Sequence, residues 1–298
     1  MTDIYKRQTL IRAICFSSFF VAINVLASFL TVAFPVIGVG LIIFLPLTSA
    51  LVEVNIKDRW FPIYAFATIG LSVVVTLSSI DFTLFYIVPS IFTGYIFGLS
   101  LKRGIPKLLA IFIASLIQTA LSFFFVEILN LITGIDIIEL FAKIFRISNV
   151  FLFNSCIWLI FFVISLTQVI LSYIVVENEM AKFGIKPFIK LNEEVVAAWS
   201  VLGSVVLSLI FALFYMPLSL MFVGFSFYFA AFVIFYEFKT QKYGCLICAA
   251  ASLLIQILIY ALLNGLMSEL NRFLLLLIWP TLIFVVSIFH YFLKKSKQ

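Results

Sequence analysis

Charge is scarce in this chain. Only 11% of its 298 residues are Asp, Glu, Lys or Arg, against 65% hydrophobic residues and 37 phenylalanines. That balance leaves no room for a separate soluble domain with a solvated surface, so the chemistry is expected in or at a bilayer. One histidine, His290, and four cysteines leave too few ligands for most His- and Cys-based metal sets. Cys245 and Cys248 form a C-x-x-C, but it opens an apolar, alanine-rich run with no second pair and no nearby histidine. They read as small buried residues, and Cys15 and Cys156 are isolated. There is no Walker-type glycine-rich phosphate loop. These absences predict a protein that is not an enzyme and holds no metal and no cofactor. Any energy coupling would come from another polypeptide or an ion gradient.

Long apolar runs dominate what is present. Residues 13–52 contain no charged side chain. At 1.5 Å per helical residue such a run would reach about 60 Å, twice a hydrocarbon core of about 30 Å, so it must turn back. The turn signal is Phe34-Pro35 followed by Gly38 and Gly40. Residues 195–236 repeat the situation, with Tyr215-Met216-Pro217 as the hinge. Reading every run this way predicts an all-α, polytopic bundle of about ten spans, at 9–34, 37–54, 60–78, 82–101, 107–133, 150–176, 195–214, 218–236, 244–267 and 273–293.

The basic residues orient this bundle. With both ends in the cytoplasm, sixteen of the nineteen Lys and Arg face inward, and only Lys143, Arg146 and Arg272 face out. Omitting the weakest span, 37–54 with Pro46 inside it, would reverse the bias to six inside and thirteen outside. The net charge of +6 therefore records orientation against an anionic leaflet rather than a nucleic-acid footprint. The first apolar run is too long for a cleaved signal and lacks a small-residue cleavage pattern, so it is expected to be a retained helix. A bacterial cytoplasmic membrane is the expected location and membrane lipid the expected surrounding partner.

Polar segments divide the chain. Residues 177–194 are the longest, carry charges of both signs and are broken by Gly184 and Pro187. They predict a six-helix part (1–178), a cytoplasmic linker (179–194) and a four-helix part (195–298), with no sequence repeat between the two parts. The outer segment 134–149 sets Ile137, Phe141, Ile144 and Phe145 against Asp136, Glu139, Lys143 and Arg146, an amphipathic pattern that suits either an interfacial connector or a lid.

Small residues four apart let helix backbones approach closely. Ser18 with Ala22 and Gly94 with Gly98 have that spacing, which favours packing within the chain first and a partner helix second. The Arg12-Ala13 opening, the Phe34-Pro35 break and the segment Val88-Pro89-Ser90-Ile91-Phe92-Thr93-Gly94-Tyr95-Ile96-Phe97-Gly98 leading to Lys102-Arg103 resemble the S components of energy-coupling factor (ECF) vitamin transporters. With the linker Phe183-Gly184-Ile185-Lys186-Pro187-Phe188 ahead of Trp199, the chain looks like the YybS-type family of bacterial polytopic membrane proteins. The likeness covers most of residues 9–200 and fades over the last four helices. It implies ligand capture near the extracytoplasmic helix ends, and an ECF coupling subunit and ATPases as partners. The docking surface would fall on Ser18 and Ala22, with Ser18 replacing the usual first Ala.

An ionisable group in hydrocarbon is costly and invites a functional reading. Glu127 is the acidic residue that qualifies, with Asn130 one turn further out and Gln118, Thr119 and Ser122 continuing a polar arc down the same helix. Asn154 and Trp158 share one face of the next helix, and Asn24 could reach the same level. If these converge they make an outward-opening site for a small polar or heteroaromatic ligand. Alternatively, Glu127 and the amides tie helices together. Asp81 belongs to a short outer turn where a solvated residue is expected. The leading expectation is thus small-molecule binding or transport of S-component type, and the alternative is a non-transporting scaffold or regulator that recruits membrane partners.

Overall fold

A computed structural model of the chain describes residues 10–144, 150–185, 193–239, 243–263 and 273–295, and every regular element among them is helical. The long helices are α1 (Leu10–Ala33), α2 (Pro35–Asn55), α3 (Phe61–Val75), α4 (Ile80–Arg103) and α5 (Lys107–Thr133). The short α6 (Ile137–Ile144) leads to α7 (Val150–Lys182), α8 (Glu193–Ala212), α9 (Met216–Lys239), α10 (Tyr243–Leu263) and α11 (Ile278–Lys295).

Six of these are long and apolar enough to cross a membrane among the described residues: α1, α4, α5, α7, α8 and α9. The chain is therefore an integral, multi-pass membrane protein. The other four predicted spans are helical as well, but the apolar stretches Gly40–Asn55, Ala250–Leu262 and Leu274–Phe289 are shorter, and α3 has 15 residues. Large apolar side chains lie on the outside, Phe66 at 78% and Leu26 at 62% exposure, as suits a protein whose solvent is lipid.

Two compact units divide the chain, one of Met1–Phe141 with Phe161–Lys190 and the other of Ala142–Ile160 with Leu191–Gln298. The chain passes between the units at Phe141–Ala142, Ile160–Phe161 and Lys190–Leu191, so α6 and α7 each contribute residues to both. α7 also runs past residue 178 to Lys182, and the Lys182 ammonium bonds Glu179 Oε1 at 2.6 Å on its last exposed turn.

In the first unit the expected break after α1 narrows to one residue. Phe34 leaves helical geometry (φ −136°, ψ 80°) and Pro35 begins α2 at once. A proline in the first helical turn has no donor to lose, so the helix restarts there, and Gly38 and Gly40 lie inside α2 rather than in a bend. The Tyr215-Met216-Pro217 hinge behaves alike, with Pro217 in the first turn of α9.

α4 packs along α2 through glycine. A Cβ added at Gly94 would collide with the Pro46 carbonyl oxygen and lie 2.5 Å from Ser49 Cβ, and one at Gly98 would lie 2.5 Å from Glu53 Cβ. A one-turn π-helical segment, Thr83–Ile87, precedes this contact, and Gly104 ends α4 in the left-handed region at φ 69°.

The amphipathic segment forms a helix over Ile137–Ile144, with Asp136 Oδ1 accepting from the Glu139 amide at its start. The remainder of the expected 134–149 helix, residues 145–149, lies outside the described residues.

In the second unit α8 and α9 form a tight hairpin. Ser208 Oγ donates to the Ser219 carbonyl at 3.0 Å and Ser219 Oγ donates to the Ser208 carbonyl at 2.9 Å. The Phe211 and Phe222 rings stack 5.4 Å apart beside them.

Candidate functional site

Of the expected ligand-binding residues, Asn24, Glu127 and Asn130 belong to the first unit and Asn154 and Trp158 to the second. Asn24 is buried, and its Nδ2 donates to Tyr64 Oη at 2.6 Å while its Oδ1 accepts from Thr48 Oγ1 at 2.8 Å. A donor and an acceptor of its amide are thereby spent on α3 and α2. Asn130 Oδ1 accepts from the Ile137 amide at 3.0 Å, tying the end of α5 to the start of α6. Glu127 is exposed on α5. Asn154 is exposed and Trp158 half-buried on the part of α7 that belongs to the second unit.

The polar arc below Glu127 is engaged in helix-to-helix and intrahelical bonds. Gln118 Nε2 donates to Gln168 Oε1 at 2.6 Å, joining α5 to α7, and its Oε1 faces Thr93 Oγ1 of α4 at 3.5 Å. Thr119 and Ser122 return their hydroxyls to the carbonyls of Ser115 and Gln118. Ser28 and Ser72 pair at 3.1 Å between α1 and α3. Buried amides and hydroxyls in a membrane helix lose water, so mutual pairing is how their cost is offset.

An ionic cluster at the end of α2 escaped the sequence reading. Glu53 has a fully buried side chain, and its Oε1 lies 3.1 Å from Lys102 Nζ. The same ammonium reaches Asp58 Oδ1 at 2.5 Å and the carbonyls of Ile56 at 2.8 Å and Glu53 at 3.1 Å. Arg103 closes the cluster on Asp58 Oδ2 at 2.6 Å. A lysine at the last carbonyls of α2 also meets the negative end of the helix dipole. Burial opposes ionisation of Asp58, but bonds from Lys102 and Arg103 outweigh it and hold this carboxyl well below the usual carboxylate range. The signal in the sequence was Glu53 and Lys102-Arg103 near the C-terminal ends of α2 and α4, but Glu53 there looks like an ordinary helix-end residue.

Of the small-residue pairs, Gly94 and Gly98 face α2 inside the chain. Ser18 and Ala22 are exposed on α1, and Ser18 Oγ bonds back to the Cys15 carbonyl at 3.1 Å. Ser18 also borders a groove of about 190 Å³ between α1 and α3, whose walls include Ser17, Val21, Ile63, Tyr64 and Leu71. The groove contains none of Glu127, Asn130 and Asn24. Small-molecule pockets usually begin near 300 Å³, so this one is undersized for a vitamin-like ligand.

Among the described residues no cluster of three His, Cys, Asp or Glu side chains could hold a metal ion. Cys15 is exposed and Cys156 half-buried, while the side chains of Cys245, Cys248 and His290 lie outside what is described. No family model, curated protein or solved structure matches this chain.

Proposed function

We propose that the chain is a non-transporting membrane scaffold or regulatory protein of the bacterial cytoplasmic membrane, built on about ten spans with both ends inside. The observation that carries this reading is the closed polar interior of the first unit. Asn24 and Gln118 each spend a donor and an acceptor on neighbouring helices, whereas a binding site needs polar groups left free to face a ligand. Its partners are membrane proteins reached laterally, and the exposed Ser18–Ala22 edge of α1 is where a close helix contact is sterically open.

A second reading is small-molecule capture of S-component type, with an ECF coupling subunit and ATPases as partners. It is favoured by the exposed Glu127 carboxyl one turn from the Asn130 bond that holds α6. In the resembled S components the Ser18–Ala22 positions would dock the coupling subunit.

Purification from native membrane in mild detergent, with mass spectrometry of co-purifying proteins and small molecules, separates the two. Protein partners retained in Glu127→Ala and lost in Ala22→Leu support the scaffold. A metabolite lost in Glu127→Ala, together with ATPase and coupling subunits, overturns it.

A further inference from the structure

The groove between α1 and α3 is largely apolar, and Trp60 at one end of it carries two cations against its ring. The two helices run parallel, since Asn24 bonds Tyr64 and, further along both, Ser28 bonds Ser72. The groove starts where both begin, at Ala13 and Trp60, and runs to Val21 and Leu71. Over the eight residues from Ala13 to Val21 its length is about 12 Å at 1.5 Å per residue. The gap exists because Ala13, Ser17 and Ala67 are small, while Ile14, Ile63 and Leu71 stand up as its banks.

Trp60 lines the starting end, and two cations stand over its ring. Lys57 Nζ is 5.4 Å and Arg59 Cζ 5.1 Å from the ring centre. Asp58 lies between them in sequence but is bonded to Lys102 and Arg103, so it does not neutralise either. Among the described residues neither Lys57 nor Arg59 forms an ion pair. A tryptophan at a helix start flanked by basic residues is the arrangement found at the headgroup level of a bilayer.

We infer that this groove is a site for one anionic phospholipid, with an acyl chain lying between α1 and α3 and its phosphate held by Lys57 and Arg59 above Trp60. Charge chooses this occupant. A neutral apolar helix would leave both cations without a counter-charge, whereas a phosphate at the Trp60 end satisfies them, and basic pockets at membrane-helix ends bind anionic headgroups on this principle. Cation–π contact with Trp60 does not use up the N–H donors of the two side chains, and these remain to be taken by phosphate oxygens. The groove shares Ser18 with the partner edge of α1 proposed above, and the two are told apart by readout, retained lipid here and co-purifying protein there.

The test is native mass spectrometry of the full chain in detergent, titrated with dioleoylphosphatidylglycerol and with dioleoylphosphatidylcholine, which share acyl chains and differ in net charge. The expected result is one retained lipid with phosphatidylglycerol preferred, by about fivefold for each cation engaged. Lys57→Gln with Arg59→Gln should erase the preference while a neutral lipid is still retained, and Ala67→Phe, which fills the groove from α3, should lose both lipids. The two Gln substitutions are at partly or fully exposed positions and keep the test valid if Ala67→Phe fails to fold. Equal retention of the two lipids by the unsubstituted chain overturns the site, as does a preference that survives the double substitution. So does competition by soluble glycerol phosphate as effective as by the lipid, or a polypeptide crosslinked in the groove.

Discussion

Lys102 Nζ lies 3.1 Å from Oε1 of Glu53, a carboxylate whose side chain is completely buried between α2 and α4. The second oxygen, Oε2, is buried with no hydrogen-bond partner among the described residues. Lys102 is thus the chief compensation for a charge removed from water. Losing one member of a buried pair is far more damaging than replacing both. Lys102→Met should lower the stability of the purified chain by about 3 kcal/mol, and Glu53→Leu added to it should recover part of that loss. Thermal unfolding in detergent of the two single and the double substitution checks this. If the double substitution is less stable than Lys102→Met alone, the pair is not the source of the penalty.

Asp58 sits in the connection between α2 and α3 and bonds both Lys102 and Arg103. Its folded carboxyl is held below its ordinary value, so the stabilisation is fully present above the unfolded value of about 3.9 and fades as pH falls through that value toward the folded one. At pH 5 the native chain should unfold at a higher temperature than Asp58→Asn, and this gap should narrow as pH falls below about 4. A gap that is unchanged on acidification from pH 5 to about pH 2.5 contradicts this ion-pair geometry.

Gly98 allows α4 to touch α2, since an added Cβ would come within 2.5 Å of Glu53 Cβ. Gly98→Ala should therefore destabilise by about 1–3 kcal/mol, the usual cost of overfilling a tight contact. Gly70 on α3 has open space around its missing Cβ. Gly70→Ala should be neutral or stabilising by up to about 1 kcal/mol through helix propensity. Comparative melting of the two alanine variants tests the contact, and equal effects would remove Gly98 from it.

The helices were legible in the sequence because uninterrupted apolar runs and the Phe34-Pro35 and Met216-Pro217 breaks leave few other readings. Gly94 and Gly98 were legible as a packing face for a similar reason, since a four-residue period of small side chains admits another backbone. The placement of polar groups was not. Glu127 drew notice as an isolated carboxylate within an apolar run, yet it is exposed, while Glu53 is fully buried and took its position from a helix two elements away. Periodicity fixes which face of its own helix a residue occupies. It does not say which other helix covers that face. Asn24 illustrates the same limit, for its partners Thr48 and Tyr64 come from α2 and α3.

Asn24 also gives the sharpest test of the closed interior. Its amide links Tyr64 Oη and Thr48 Oγ1, and Tyr64 Oη keeps a further contact with Ser49 Oγ at 3.0 Å. Asn24→Leu removes the amide at little change in volume, leaves the Thr48 hydroxyl its bond to the Leu45 carbonyl, and leaves Tyr64 the bond to Ser49. Interhelical hydrogen bonds in membrane proteins are worth about 0.6 kcal/mol on average and up to about 1.7 kcal/mol, so a loss of about 1 kcal/mol is expected. Ser49→Ala made together with Asn24→Leu should cost more than the sum of the two single changes, because the Tyr64 hydroxyl then loses its strongest remaining partner in a buried position. Unfolding of the four proteins in detergent without any added ligand measures this coupling. Strict additivity would mean that Asn24 and Ser49 do not share Tyr64, and the polar interior would then be open enough for the capture reading to displace the scaffold.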